Sequence, residues 1–210
     1  MISREVRTKG FSLSPAHILT LGRILLSPVF VLLYLYHDDI GVGLVALPYL
    51  LISLVVLSEL SDVFDGFVAR KRNQVTELGK LIDPMADSIF RLSVFLAFTG
   101  GVLQLPLLLV LVFFYRDTLI STLRTVCALR GVALAARLSG KIKAVMHAAI
   151  IFLVVLSMIP YSLGYLSLEQ LQDISFYSVL VGAVYTFYTG LEYFYVNRNF
   201  ILKALLPSLQ

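Results

Sequence analysis

Six apolar runs, each at or near the ~20 residues needed to cross a bilayer, set the terms for any fold of this chain. They lie near Ile18–Tyr36, Val42–Leu60, Leu81–Gly100, Leu103–Val126, Ala144–Leu163 and Ile174–Tyr195. None alternates with the two-residue period of a barrel strand, and in lipid each segment must satisfy its own backbone, so all six read as helices. The 210 residues are 59% hydrophobic and only 14% charged, with a mean hydropathy of +0.89. A soluble domain of that size has too little interior to hide so much apolar surface. The expectation is an all-α integral membrane protein, one domain over residues 1–210 with six transmembrane helices in a bundle. Charged and apolar residues mix over Met1–Ser14, which reads as a short interfacial segment. Arg4, Arg7 and Lys9 precede a first run long enough to span, which argues against a cleavable signal peptide. The single cysteine, Cys127, excludes an internal disulfide framework. Pro48, Pro84 and Pro106 are placed to start or kink helices, and Gly100-Gly101 to turn tightly.

Charge divides the connections into two sets. His37–Ile40, Gly100–Gln104 and Ser162–Asp173 contain no Lys or Arg, and two of them carry Asp38, Asp39, Glu169 and Asp173. The other connections and the termini carry Arg4, Arg7 and Lys9; Arg70, Lys71, Arg72 and Lys80; Arg130, Arg137, Lys141 and Lys143; Arg198 and Lys203. Lys and Arg accumulate on cytoplasmic loops, so both termini are expected in the cytoplasm, in agreement with an even number of spans. The net charge of +4 follows from this asymmetry and implies no nucleic-acid partner.

From just past the second run into the start of the third lie four aspartates: Asp62-Val-Phe-Asp65-Gly66-Phe-Val-Ala69-Arg70, then Gly79-Lys-Leu-Ile-Asp83-Pro-Met-Ala-Asp87. A carboxylate at mid-bilayer costs roughly 2.5–3.5 kcal/mol even on lenient scales, so four together need a shared partner. Asp62 and Asp65 are three apart and Asp83 and Asp87 four apart, so each pair projects from one helix face. Both pairs fall toward the cytoplasmic ends of neighbouring antiparallel helices. Without cations the charges would repel and some would have to take up protons. Two Mg²⁺ or Mn²⁺ ions shared among them remove that conflict and leave metal positions open to phosphate oxygens. Gly66 and Gly79 remove side chains where a backbone or ligand must approach, and Arg70 lies one turn beyond Gly66, within reach of a phosphate bound there. Gly66 and Ala69 also suit plain helix packing, and Arg70-Lys71-Arg72 suits a topology anchor. Neither reading accounts for four acids on one side of a membrane.

The fixed residues Asp62, Asp65, Gly66, Ala69, Arg70, Gly79, Asp83 and Asp87 match D-x2-D-G-x2-A-R-x8-G-x3-D-x3-D, and in all eight the segment resembles the CDP-alcohol phosphotransferase family. The resemblance implies that family's six-helix membrane fold, its usual homodimer, and transfer from a CDP-linked donor to an acceptor hydroxyl with CMP leaving. It implies that Asp62, Asp65, Asp83 and Asp87 hold two metal ions, with Asp87 also the general base. It further implies that Gly66, Ala69, Arg70 and Gly79, with Thr20 of the first helix, shape the CDP site. His17-Ile-Leu-Thr20-Leu-Gly-Arg23 is similar to the N-x-x-T-x-x-R opening of the family's phosphatidylglycerophosphate synthases, with His17 where Asn is usual. Asp83-Pro-Met-Ala-Asp87 resembles the same branch, with Ser88 where a Lys commonly follows. Arg116-Asp-Thr-Leu-Ile-Ser-Thr-Leu-Arg124 and Gly140-Lys141-Ile-Lys143 are similar to its fourth helix and following loop.

That likeness implies CDP-diacylglycerol as donor and glycerol 3-phosphate as acceptor, at the inner membrane of a bacterium with the site on the cytoplasmic side. A dianionic acceptor requires cations beside the metals, and the candidates are Arg116, Arg124, Lys141 and Lys143. Arg130, Arg137 and Lys203 read as anchors at headgroup level. Lys141 and Lys143 suit either role, while Arg116 and Arg124, inside a span, must face protein, water or ligand. Glu59 either extends the acidic face or pairs with Arg23 or Arg91, and Arg91, one turn past Asp87, can counterbalance it. Within the family the competing acceptors are those of phosphatidylinositol phosphate, phosphatidylserine and cardiolipin synthases. An ion-coupled transporter is the rival of another class, but it would spread its acids through the bilayer.

Overall fold

A computed structural model describes the backbone over residues 15–71, 77–129 and 137–205, and side chains over 20–61, 85–127, 129 and 137–201. The interfacial segment expected at Met1–Ser14 lies outside the described residues. Six helices form among the described residues, as expected: α1 Pro15–Leu35, α2 Leu47–Lys71, α3 Glu77–Ala97, α4 Leu107–Leu129, α5 Leu138–Ser162 and α6 Leu168–Leu205. There is no strand among the described residues. α2, α5 and α6 outrun their apolar segments, whereas α4 starts four residues inside its own. Pro48 falls in the first turn of α2, and Pro106 directly precedes α4, where its fixed φ and missing N–H suit a helix start. The connection expected over Ser162–Asp173 is shorter, because Ser167 and Gln170 exchange hydrogen bonds (Gln170 N–H to Ser167 Oγ, 3.2 Å; Ser167 N–H to Gln170 Oε1, 2.9 Å) and start α6 at Leu168. At 38 residues α6 is about 57 Å long, well beyond the ~30 Å hydrocarbon core.

α1 packs along both α2 and α3, α6 packs along both α4 and α5, and α5 joins the halves through α2 and α3. The shared interior is apolar and aromatic: Phe30 and Tyr34 of α1, Leu51 and Val55 of α2, Phe90 and Phe95 of α3 with Phe98 just after it, Phe113 of α4, and Ile151 and Val154 of α5 are all buried. Tyr34 also fastens the far end of the bundle. Its hydroxyl donates to the Gly100 carbonyl (3.2 Å) and accepts from the Leu103 N–H (3.3 Å). Gly101 turns there with φ +56°, and a Cβ on it would meet the Tyr34 ring at 3.0 Å.

The outer surface is the reverse of a soluble protein's. Leu25, Leu108, Val145, Val184, Phe187 and Tyr195 are exposed, while Thr20, Arg23, Arg91, Lys143, His147 and Thr186 are buried. An apolar exterior of this extent is stable against lipid, not water. Leu138–Ser162 and Leu168–Ile201 are long and apolar enough to cross a membrane, and Thr20–Leu35 and Leu47–Ser61 are shorter apolar stretches. These features suit a membrane protein.

Candidate active site

All four aspartates lie on helical backbone, Asp62 and Asp65 in the last turns of α2 and Asp83 and Asp87 in the first turns of α3. The side chains of Asp62, Asp65, Gly66, Ala69, Arg70, Gly79 and Asp83 lie outside the described residues, so Asp87 alone shows its surroundings. Its carboxylate, 28% exposed and so open to a ligand, sits 3.0 Å from Arg91 one turn along α3. Arg91 is itself buried and held on every side. Its Nη2 reaches both Glu59 oxygens of α2 at 3.2 and 3.3 Å, and its Nη1 donates to the Ala144 carbonyl of α5 at 2.7 Å. Glu59 thus pairs with Arg91, and one guanidinium ties α2, α3 and α5 together beside Asp87. A buried cation is tolerated only with such partners.

One residue past Asp87, Ser88 turns toward α4, where its hydroxyl lies 3.5 Å from Asp117 Oδ2. Asp117 Oδ1 accepts from Arg116 Nη1 at 2.9 Å and from Lys143 Nζ at 2.6 Å. Two of the four cations read as phosphate ligands therefore stand together, joined through Ser88 to the aspartate proposed as base. α5 starts six residues before the expected span, so Lys141 and Lys143, expected in a loop, occupy its first turns. Two residues along a helix do not share a face, and here Lys143 is buried while Lys141 is exposed. Arg124 lies two turns beyond Arg116, about 12 Å along α4, and packs on Tyr193 of α6 (Nε to hydroxyl 3.3 Å, guanidinium 5.5 Å from the ring centre). The structure groups Arg116 with Lys143 and holds Arg124 and Lys141 apart from them. The i, i+4, i+7 spacing of Asp117, Ser121 and Arg124 would allow a local network along α4, but Asp117 turns toward α5 instead. Arg137 pairs with Glu192 of α6 at 2.9 Å, and buried His147 shares a hydrogen bond with Thr186 at 2.8 Å. Thr20 is fully buried on α1.

Set against known proteins, residues 13–194 match the family model for CDP-alcohol phosphatidyltransferases. The chain belongs to the CDP-alcohol phosphatidyltransferase family. Among its relatives is the CDP-diacylglycerol–glycerol-3-phosphate 3-phosphatidyltransferase of Rickettsia typhi, 31% identical over 87% of this chain and 96% of that protein. The Bacillus subtilis protein of the same name is 30% identical over 85% of this chain and 92% of its own length. A cardiolipin synthase (CMP-forming) from Streptomyces coelicolor is 40% identical, but over 32% of this chain and 31% of that protein.

Membership makes the chain a transferase, and the family generally uses divalent metal. The donor set suits such ions: Asp62, Asp65, Asp83 and Asp87 offer only anionic oxygens, the ligands that hard cations prefer. Among the described residues no group of three or more possible ligands comes together, because three of these four side chains are not described. Sequence reasoning left Glu59 and Arg91 open and did not find Asp117 as the hub of the cation pair. The signal was present in the charge alternation of Arg116-Asp117, but adjacent helical residues point apart, and only the third partner on α5 brings them together.

Proposed function

We propose that this protein transfers the phosphatidyl group of CDP-diacylglycerol to the 1-hydroxyl of glycerol 3-phosphate, giving phosphatidylglycerol phosphate and CMP. The observation that carries the reading is the placement of a largely buried Arg116–Lys143 cation pair one Ser88–Asp117 contact away from Asp87. That arrangement provides a base for a hydroxyl and cations for a phosphate on the same small acceptor. The relatives that match across most of the chain carry the name of this activity.

Asp62, Asp65, Asp83 and Asp87 would hold two Mg²⁺ or Mn²⁺ ions, which when bound neutralise charge on the donor's phosphates and on the departing CMP. The protein's own groups do the rest. Arg116 and Lys143 bind the acceptor phosphate, with Arg124 and Lys141 further out along the approach. Asp87 takes the proton from the acceptor hydroxyl; that oxygen bonds to the lipid-bearing phosphorus as the bond from this phosphorus to the CMP oxygen breaks. Thr20, Gly66, Ala69, Arg70 and Gly79 form the donor site, with Arg70 on the pyrophosphate. The acyl chains remain in lipid, which gives a reason for chemistry at membrane depth. In this reading all six helices span the inner membrane of a bacterium, both termini and the site face the cytoplasm, and the protein is a homodimer.

The test is an assay of purified protein with CDP-diacylglycerol and a panel of acceptors. CMP release is expected with glycerol 3-phosphate. Release with inositol phosphate, serine or phosphatidylglycerol but not with glycerol 3-phosphate would overturn the acceptor assignment and leave the reaction class standing.

A further inference from the structure

The Asp117 carboxylate stands inside the cation pair meant for a substrate, and it has no role in the chemistry just described. Its side chain is only 10% exposed, and Arg116 and Lys143 both converge on its single Oδ1. Arg116 reaches it from the adjacent position in sequence, although neighbouring side chains on a helix diverge. Small residues define the path. A Cβ at Gly190 of α6 would lie 3.3 Å from Arg116 Cγ, and one at Gly140 of α5 would lie 3.7 Å from Arg116 Nη2. The arginine stem therefore runs between α4 and α6, and its head turns to the start of α5, where Lys143 meets it from the next turn. Without Asp117 two like charges would share a buried space and repel each other apart.

We propose that Asp117 is the positioning residue of the acceptor site: it holds Arg116 and Lys143 at the spacing a phosphate monoester needs and so sets the preference for phosphorylated acceptors. This rests on the reading of Arg116 and Lys143 as phosphate ligands. Asp117 touches neither the donor nor the reacting atoms. Its carboxylate keeps the pair together while the site waits, and the acceptor phosphate takes up the donor hydrogens that Asp117 leaves unused. Arg116 has five N–H groups and Lys143 three, and one shared oxygen engages one hydrogen of each.

The experiment is a double-mutant cycle on acceptor KM in the purified full-length protein with saturating CDP-diacylglycerol. Asp117→Asn is expected to raise the KM for glycerol 3-phosphate about tenfold while the KM for CDP-diacylglycerol stays within about twofold, the size of effect expected for a displaced charge-assisted contact. In a Lys143→Ala background the same change is expected to add little, because its effect travels through the lysine. Equal shifts for both substrates, full additivity, or an unchanged acceptor KM would overturn the inference. If Arg116→Ala and Lys143→Ala themselves leave the acceptor KM unchanged, the acceptor-site reading fails first, and this inference falls with it. Should Asp117→Asn not fold, Asp117→Glu serves instead. It keeps the charge but displaces it by one methylene, and is expected to raise the acceptor KM alone by about threefold; parallel changes in donor KM, or no change, would contradict the proposal.

Discussion

Single residues around Asp87 are placed for opposite purposes, and substitutions separate them. Asp87→Asn keeps an oxygen for Arg91 but removes the base, so turnover is expected to fall by about 10²–10⁴-fold with folding retained, measured as CMP release per mole of monodisperse protein. Wild-type turnover in that variant would remove the base from the mechanism. Arg91→Ala acts the other way. It strands Glu59, Asp87 and the Ala144 carbonyl around a void, and the cost is on the order of 3 kcal/mol, read as a drop in Tm in detergent. A Tm unchanged from wild type would show that the Glu59–Arg91–Asp87 cluster holds nothing together. Four acids beside apolar runs mark Asp87 as a candidate in sequence, while the base role proposed for it comes from the family resemblance. Glu59 and Asp87 were among the partners that the sequence offered Arg91, but the choice of Arg91 over Arg23 for Glu59, and the third partner, were not legible. Glu59 lies 32 positions away and Ala144 contributes a carbonyl, which no side-chain pattern reveals.

At the scale of helices and turns, apolar run length located all six elements, but the ends followed local chemistry that hydropathy ignores. The Ser167–Gln170 exchange lengthens α6 at its start, and the early start of α5 turns Lys141 and Lys143 from loop neighbours into opposite faces of one helix. That early start explains why only one of the two lysines reaches Asp117. The Gly100-Gly101 turn was anticipated from sequence, whereas its clasp by Tyr34 from α1 depends on a tertiary contact 66 positions away. Tyr34→Phe removes the hydroxyl from both the Gly100 carbonyl and the Leu103 N–H, at a cost of about 1–2 kcal/mol. Tm is expected to fall while the KM values for both substrates hold, because this turn is at the opposite end of the bundle from Asp87. A change in either KM without loss of Tm would mean that the two ends communicate.

For the whole molecule, the apolar exterior and the polar groups buried within an otherwise aromatic interior make sense only together. Lipid accepts the leucines and phenylalanines facing outward, and buried Arg91 and Lys143 lie with Asp87 and Asp117 towards the end of the bundle where α2 ends and α3 and α5 start. The charge asymmetry of the connections is the basis for proposing that this end faces the cytoplasm. The central proposal is that the acids at this end, Asp62, Asp65, Asp83 and Asp87, work by gripping divalent cations. The most direct measurement is CMP release from CDP-diacylglycerol and glycerol 3-phosphate after exhaustive chelation, followed by titration of Mg²⁺ or Mn²⁺. Activity is expected to vanish on chelation and return with added metal, and turnover that persists undiminished in the chelated protein would contradict the proposal.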